Sequence, residues 1–271
     1  MSLHETRQPV RSIIGPALGL AMILAAVSTG AGLRLGRAHD EGPLDDGSWT
    51  SVANGDRVQR LLRVDDTIWS ATDGGGILRW SMETGEHRQF LAPQNGLRSN
   101  VVNDLARLPD GSIWAATDRG LAQWDDAGDR FINLTPTESP GMPARRVTAL
   151  LASGDGALWV GFSQEWDPNL PHPTTGEPGA FAPGGLARYR PADDSWSDVF
   201  QATIVTDFQS SGFLDIPSDN VTRLAYGSDG LLWFGSKPYQ MWDQTACDPC
   251  EPEDGAWIQV GGGLAAYDGE T

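Results

Sequence analysis

Beyond residue 40 the chain carries no long apolar stripe of 3.6-residue period, so no substantial helix is predicted in its body. Hydrophobic positions fall instead into short runs separated by Gly, Asp and Pro. A V-x-x-L run, such as Val147 to Leu151, precedes a tight turn at Asp110-Gly111, Asp155-Gly156 or Asp229-Gly230, where Gly supplies the positive φ. A second run holds a Trp, and a third reads Gly-Leu-Ala-x-aromatic (Gly76-Ile77 in the first instance). A fourth centres on Phe90, Phe131 or Trp196 after an Asp/Gly-rich turn. Each set predicts four short strands joined by turns.

The set recurs four times: Val58 to Trp80, Val102 to Trp124, Val147 to Tyr189 and Val221 to Tyr267. Its Trp residues, at 69, 114, 159 and 233, are spaced 45, 45 and 74 residues apart. Forty-five residues is the size of one four-stranded propeller blade, and short strands with a periodic aromatic and Gly signal radial repetition. The expected fold class is therefore all-β: four propeller blades, over about 48–92, 93–135, 136–200 and 201–271. Trp49, 69, 80, 114, 124, 159, 196 and 233 lie in repeat strands and are assigned to the core.

With the D-G turn, I/L-W-x-G/A-T, G-L-x-x-Y/W and the linker Gln94-Asn95-Gly96-Leu97-Arg98-Ser99-Asn100, these units resemble the two-component regulator propeller repeat. The resemblance covers roughly Trp49 to the C-terminus. It implies the extracytoplasmic sensor half of a membrane-bound hybrid histidine kinase or a related exported protein. No kinase region occurs in these residues. Ser48 to Val52 looks like an orphan fourth strand, and the last unit stops at Thr271 where its own fourth strand would begin. Either the orphan strand closes a four-bladed ring or the array is part of a larger propeller. The resembled family has more blades, and an open arc would leave unpaired edges, so the larger propeller is expected.

Ile13 to Leu33 is an uncharged, mainly apolar run of 21 positions behind Arg7 and Arg11, long enough to span a hydrocarbon core. Residues 1–38 thus read as a signal peptide or signal anchor, and 39–47 as a linker. Ala26-Val27-Ser28 offers a cleavage site, whereas Arg34, Arg37 and the length of the run favour an anchor. Either way the body is expected outside the cytoplasm, at the cell membrane or secreted. Outside residues 1–38, 15 basic residues face 35 acidic ones, a field that repels polyanions and disfavours nucleic acid as a partner.

Two units carry insertions between their second and third strands, about Ser163–Pro183 and Ser236–Gly261. In a four-stranded blade this connection shares an end with the linkers between blades, and long loops gathered on one side of a rigid scaffold are where binding concentrates. Trp166, Asp167 and Asn169 in the first insertion, with Tyr239, Trp242 and Asp243 in the second, are the candidate ligand-binding residues. Aromatic rings stack on the C–H faces of a sugar while carboxylates and amides take its hydroxyls. The same rings could instead pin the insertions to the blades, and Trp257, in a strand-like WIQV, is read that way. Cys247 and Cys250 are two ligands too few for zinc and lack a βαβ setting for redox chemistry, so they read as a disulfide stapling a loop.

No nucleophile elbow, phosphate loop or H-E-x-x-H pair occurs. Asp73-Gly74-Gly75-Gly76 lies between repeat strands and reads as a turn. His172 is the histidine nearest the insertion-bearing side. These features predict a non-enzymatic ligand-binding module without cofactor or metal, whose partner is a small molecule or glycan. Another exported protein docking on the same side is the alternative, and a polysaccharide lyase or glycosidase the second.

Overall fold

The computed structural model describes residues 57–172, 176–201, 216, 218–243 and 256–269, all inside one compact unit, Asp45–Thr271. The apolar run at 13–33, the orphan strand at 48–52 and the Cys247–Cys250 pair lie outside the described residues. Among the described residues the protein is all strand and turn, arranged as four propeller blades. Blade 1 is β1 (Val58–Val64), β2 (Thr67–Thr72), β3 (Ile77–Ser81) and β4 (His87–Phe90). Blade 2 is β5 (Val102–Arg107), β6 (Ile113–Thr117), β7 (Gly120–Asp125) and β8 (Arg130–Leu134).

Blade 3 opens with β9 (Val147–Ala152) and β10 (Leu158–Phe162), and closes with β13 (Gly185–Arg190) and β14 (Ser195–Phe200). The chain between them forms a separate hairpin, β11 (Glu165–Pro171) and β12 (Pro178–Ala182). Blade 4 repeats the plan with β15 (Asn220–Tyr226), β16 (Leu232–Lys237) and β19 (Gly263–Tyr267) around the hairpin β17 (Tyr239–Asp243) and β18 (Ala256–Val260). All pairs are antiparallel, and they join neighbours in sequence except where β10 pairs with β13 and β16 with β19 across the two insertions. His87 opens β4 and stacks on Trp80 at 4.2 Å.

Turn chemistry explains why the first strand of blades 2, 3 and 4 reverses into the second. Gly111, Gly156 and Gly230 adopt φ of +91°, +84° and +82°, and the preceding Asp110, Asp155 and Asp229 accept backbone N–H bonds two residues on, at 2.9, 3.2 and 3.1 Å. The buried Trp of the second strand needs a partner for its indole N–H. Trp69 and Trp114 donate to hydroxyls two residues back, Thr67 and Ser112. Ala157 holds that place in blade 3, and Trp159 donates instead to the Tyr226 hydroxyl of blade 4, at 3.1 Å.

The core lies between blades. Trp69, Ile77 and Phe90 of blade 1 meet Val102, Leu105 and Phe131 of blade 2. Trp114 and Leu121 meet Val147, Leu150 and Tyr189. Trp159 and Leu186 meet Val221, Leu232 and Phe234. Side chains on the inner strands sew the blades together: Asn103 donates to the Val147 carbonyl (2.7 Å) and Thr148, one repeat on, to the Val221 carbonyl (2.5 Å). The core assignment of the repeat Trp residues holds for Trp69, 114 and 159; Trp124, 196 and 233 are partly buried, and Trp80 is exposed at its hairpin.

At its two outer flanks the array exposes apolar side chains that its inner blades bury. Leu61, in the place of Leu105 and Leu150, is 60% exposed, and Leu264, in the place of Leu121 and Leu186, is 69% exposed.

Candidate functional site

Linkers between blades and the loops between second and third strands meet at one end of the array, opposite the Asp-Gly turns. There a concavity of about 960 Å³ is walled by pieces of blades 1, 2 and 3 and their linkers.

The first wall is the Gln94–Asn100 linker. Asn95 accepts the Leu91 N–H (2.9 Å) and its carbonyl receives the Phe131 N–H (3.0 Å), so the turn is tied at both ends. Gly96, at φ +83°, runs so close over the Phe131 carbonyl that a Cβ would collide with it. Leu97 then plugs the core between blades 1 and 2 and Arg98 emerges at the rim, bonded to Glu138 at 2.6 Å. Glu138 is held below the usual carboxylate range by the Thr135 hydroxyl first and by Arg98 second.

The second wall combines the β6–β7 turn, which presents Arg119, with Arg145 and Arg146 from the linker into blade 3. Arg145 forms two bonds to Glu165, at 2.6 and 3.3 Å, and this partner raises the guanidinium's affinity for its proton. Arg146 reaches Asp118 at 3.3 Å. Arg119 is exposed and its side chain has no hydrogen bond or ion pair among the described residues.

The third wall is the first insertion. Trp166 sits across from Phe181 in the β11–β12 register, its ring lying over Gly179, where a Cβ would stand 2.8 Å from the indole. Its ring meets Phe181 at 5.1 Å and Trp257 of the second insertion at 6.2 Å, edge to face. Even so, Trp166 remains 47% exposed toward the concavity it lines. Asp167 accepts the Asn169 N–H at 2.8 Å, and both residues line the same wall. Gln164 clamps the two insertions together, donating to the Gln240 carbonyl (2.7 Å) and accepting its N–H (2.8 Å).

The candidate residues therefore divide. Trp166, Asp167 and Asn169 converge on one wall. Tyr239 is 4% exposed and packs in the core between blades 3 and 4, away from the concavity. Trp242 and Asp243 lie in β17, opposite Trp257 and Ala256 in register. Trp257 joins the ring cluster that binds the insertions to each other, with His172 5.6 Å from it. Trp257 thus pins the insertions to each other, while Trp166 keeps an exposed face on the concavity.

No protein-family model matches the chain, and no curated protein sequence matches it. Among solved structures it is similar to the extracellular domain of BT3049, described as a hybrid two-component system of B. thetaiotaomicron, at 17% identity and a TM-score of 0.50. That match covers 79% of this chain and 25% of the other, so this chain spans about a quarter of that structure's length. The shared feature is the fold. This chain is a β-propeller array. Further similarity reaches the extracellular domain of BT4673 from the same organism (14% identity, TM-score 0.44, 72% and 27% covered) and an ancestral GH74 enzyme (16%, 0.44, 68% and 22%).

What sequence reading missed in the propeller is its arginines. Arg98, Arg119, Arg145 and Arg146 come from two linkers and a turn, and only the radial arrangement of blades brings them to one rim. A basic residue in every second inter-strand connection, β4–β5, β6–β7 and β8–β9, is the signal that could have found them. Among the described residues no group of three or more His, Cys, Asp or Glu is placed to hold a metal ion.

Proposed function

We propose that this propeller array is the ligand-sensing part of an extracytoplasmic, membrane-associated signalling protein, and that the rim concavity binds a small molecule or glycan. The observation that carries it is the meeting of an exposed, rigidly backed Trp166 with Asp167 and Asn169 on the wall of a concavity of about 960 Å³, a size suited to a small-molecule ligand. The apolar run at 13–33 and the propeller fold shared with an extracellular domain support the location. Binding is preferred to catalysis because Glu165, the other carboxylate lining the concavity, already has both oxygens bonded to Arg145.

The test is calorimetric titration of the purified full-length chain with a panel of oligosaccharides and metabolites. A ligand is expected, and Trp166→Ala is expected to weaken it roughly tenfold, since a ring contact is worth about 0.5–1.5 kcal/mol beyond its buried area. Trp80→Ala, an exposed ring outside the concavity, should leave affinity unchanged. An empty panel, or equal affinity for Trp166→Ala and the native chain, overturns the proposal.

A further inference from the structure

The protein has 36 acidic and 19 basic residues, yet the concavity is lined by four arginines and only two carboxylates, Glu165 and Asp167. Carboxylates are paired with three of these guanidinium groups, so what the hollow offers an acidic ligand is the fourth. The groups are not equivalent. Arg98 and Arg145 are engaged by Glu138 and Glu165, each at 2.6 Å. Arg146 gives its Nε to Asp118 at 3.3 Å. Arg119, exposed on the β6–β7 turn, has its whole donor fork uncommitted among the described residues. A free planar fork is the geometry that takes a carboxylate through two parallel N–H···O bonds.

The same hollow is lined by Trp166, whose exposed ring is backed by Phe181 and Trp257 and whose position over Gly179 leaves no room for a side chain beneath it. A ring fixed in this way offers a flat apolar face, and the neighbouring Asn169 and Asp167 offer hydrogen-bonding groups for hydroxyls. One ligand class satisfies both walls: a sugar ring that stacks and a carboxylate on that ring that reaches the guanidinium.

Resting on the sensing proposal above, we infer that the ligand is an acidic oligosaccharide of the uronate class, its carboxylates held by Arg119 with Arg146 beside it and a ring face held by Trp166. Asp118 is the positioning residue for Arg146, to which it is bonded. The ionic part of this recognition acts over a short range at the rim and weakens as salt screens it.

The experiment compares oligogalacturonate with its fully methyl-esterified form, the same rings without the charge, by calorimetry on the full-length chain at two salt concentrations. The charged form is expected to bind more tightly, with an advantage that shrinks at high salt. Arg119→Gln should cost the charged form roughly tenfold to a hundredfold, the range for losing a charge-assisted bond, and leave the ester unchanged. Because Arg119 is exposed and unpaired, this variant leaves the fold intact, which its melting temperature verifies. Arg190→Gln, on the turn end beside Asp155, serves as the control and should change neither. Equal binding of both forms, indifferent to Arg119→Gln, overturns the uronate inference while upholding the concavity as a sugar site. Binding of neither form overturns it too, and the broader panel then decides separately whether the concavity binds anything.

Discussion

Leu186 and Leu264 occupy the same position of the repeat, second in the Gly-Leu-Ala strand, and differ in what covers them. Leu186 is fully buried among Trp159, Val221 and Phe234, whereas Leu264 is 69% exposed. Each pairs with the Gly two residues after the repeat Trp, Leu186 with Gly161 and Leu264 with Gly235, so backbone setting and strand propensity cancel in a comparison. Truncating a buried Leu to Ala removes its transfer free energy and leaves a cavity, together about 2.7–5 kcal/mol. Leu264 has roughly a third of its burial to lose, about 0.5–1 kcal/mol from a full-burial value of about 1.5–3 kcal/mol. For a domain of this size each kcal/mol moves the melting temperature by about 2–4 °C. Leu186→Ala should therefore lower it by roughly 5–20 °C and Leu264→Ala by at most about 4 °C. Tryptophan fluorescence and circular dichroism melts of the two variants provide the measurement. Equal losses would refute the reasoning, because they would mean that the flank of blade 4 is covered as the flank of blade 3 is.

Two further outcomes follow from the blade contacts. Gly161→Ala should destabilise by about 1–3 kcal/mol through overpacking, since a Cβ there would stand 2.7 Å from Val221, while Gly235→Ala, with only Thr222 at 3.8 Å, should be neutral or slightly stabilising in urea unfolding. Buried Asp104 bonds the Leu150 and Leu105 N–H groups and pairs with Arg60 at 3.2 Å, but burial outweighs these and raises its pKa above the ordinary 3.8. A raised folded-state pKa means its contribution is fully present below pH 3.8 and lost as pH rises through the folded value. Native stability relative to Asp104→Asn should thus fall as pH is raised from about 3.5 to 7, and urea midpoints that keep a constant difference would count against it.

The repeat was legible in the sequence because each of its marks has a local cause. Asp-Gly makes the turn, Trp fills the gap between blades, and the small residue two places later leaves room for the Val of the next blade. Gly161 against Val221 shows that last reason directly. The place of the insertions was legible too, since they interrupt a pattern whose neighbours are intact. The fold of the first insertion as a hairpin depends on the pairing of Trp166 with Phe181, and that of the second on the pairing of Trp242 with Trp257, registers that no local motif specifies. The burial of Tyr239 comes from the blade 3–4 core, which a linear reading does not assemble. The arginine rim was invisible for the same reason: Arg98 and Arg146 are 48 residues apart and belong to different linkers.

Burial divides the rim from the repeats. The contacts that hold blades together repeat with the sequence, so a change at Trp114, Leu150 or Gly161 breaks an interface between blades. Rim residues such as Arg119, Arg145 and Asn169 carry no such burden: all three are exposed, and each belongs to a turn, a linker or a hairpin rather than a blade strand. Ligand chemistry can therefore change at the rim at little cost in stability, provided the backing of Trp166 by Gly179, Phe181 and Trp257 is kept. Specificity should accordingly reside in single rim side chains and stability in the repeats, a division that the Arg119→Gln and Leu186→Ala variants separate: the first should alter affinity without the melting temperature, the second the melting temperature first.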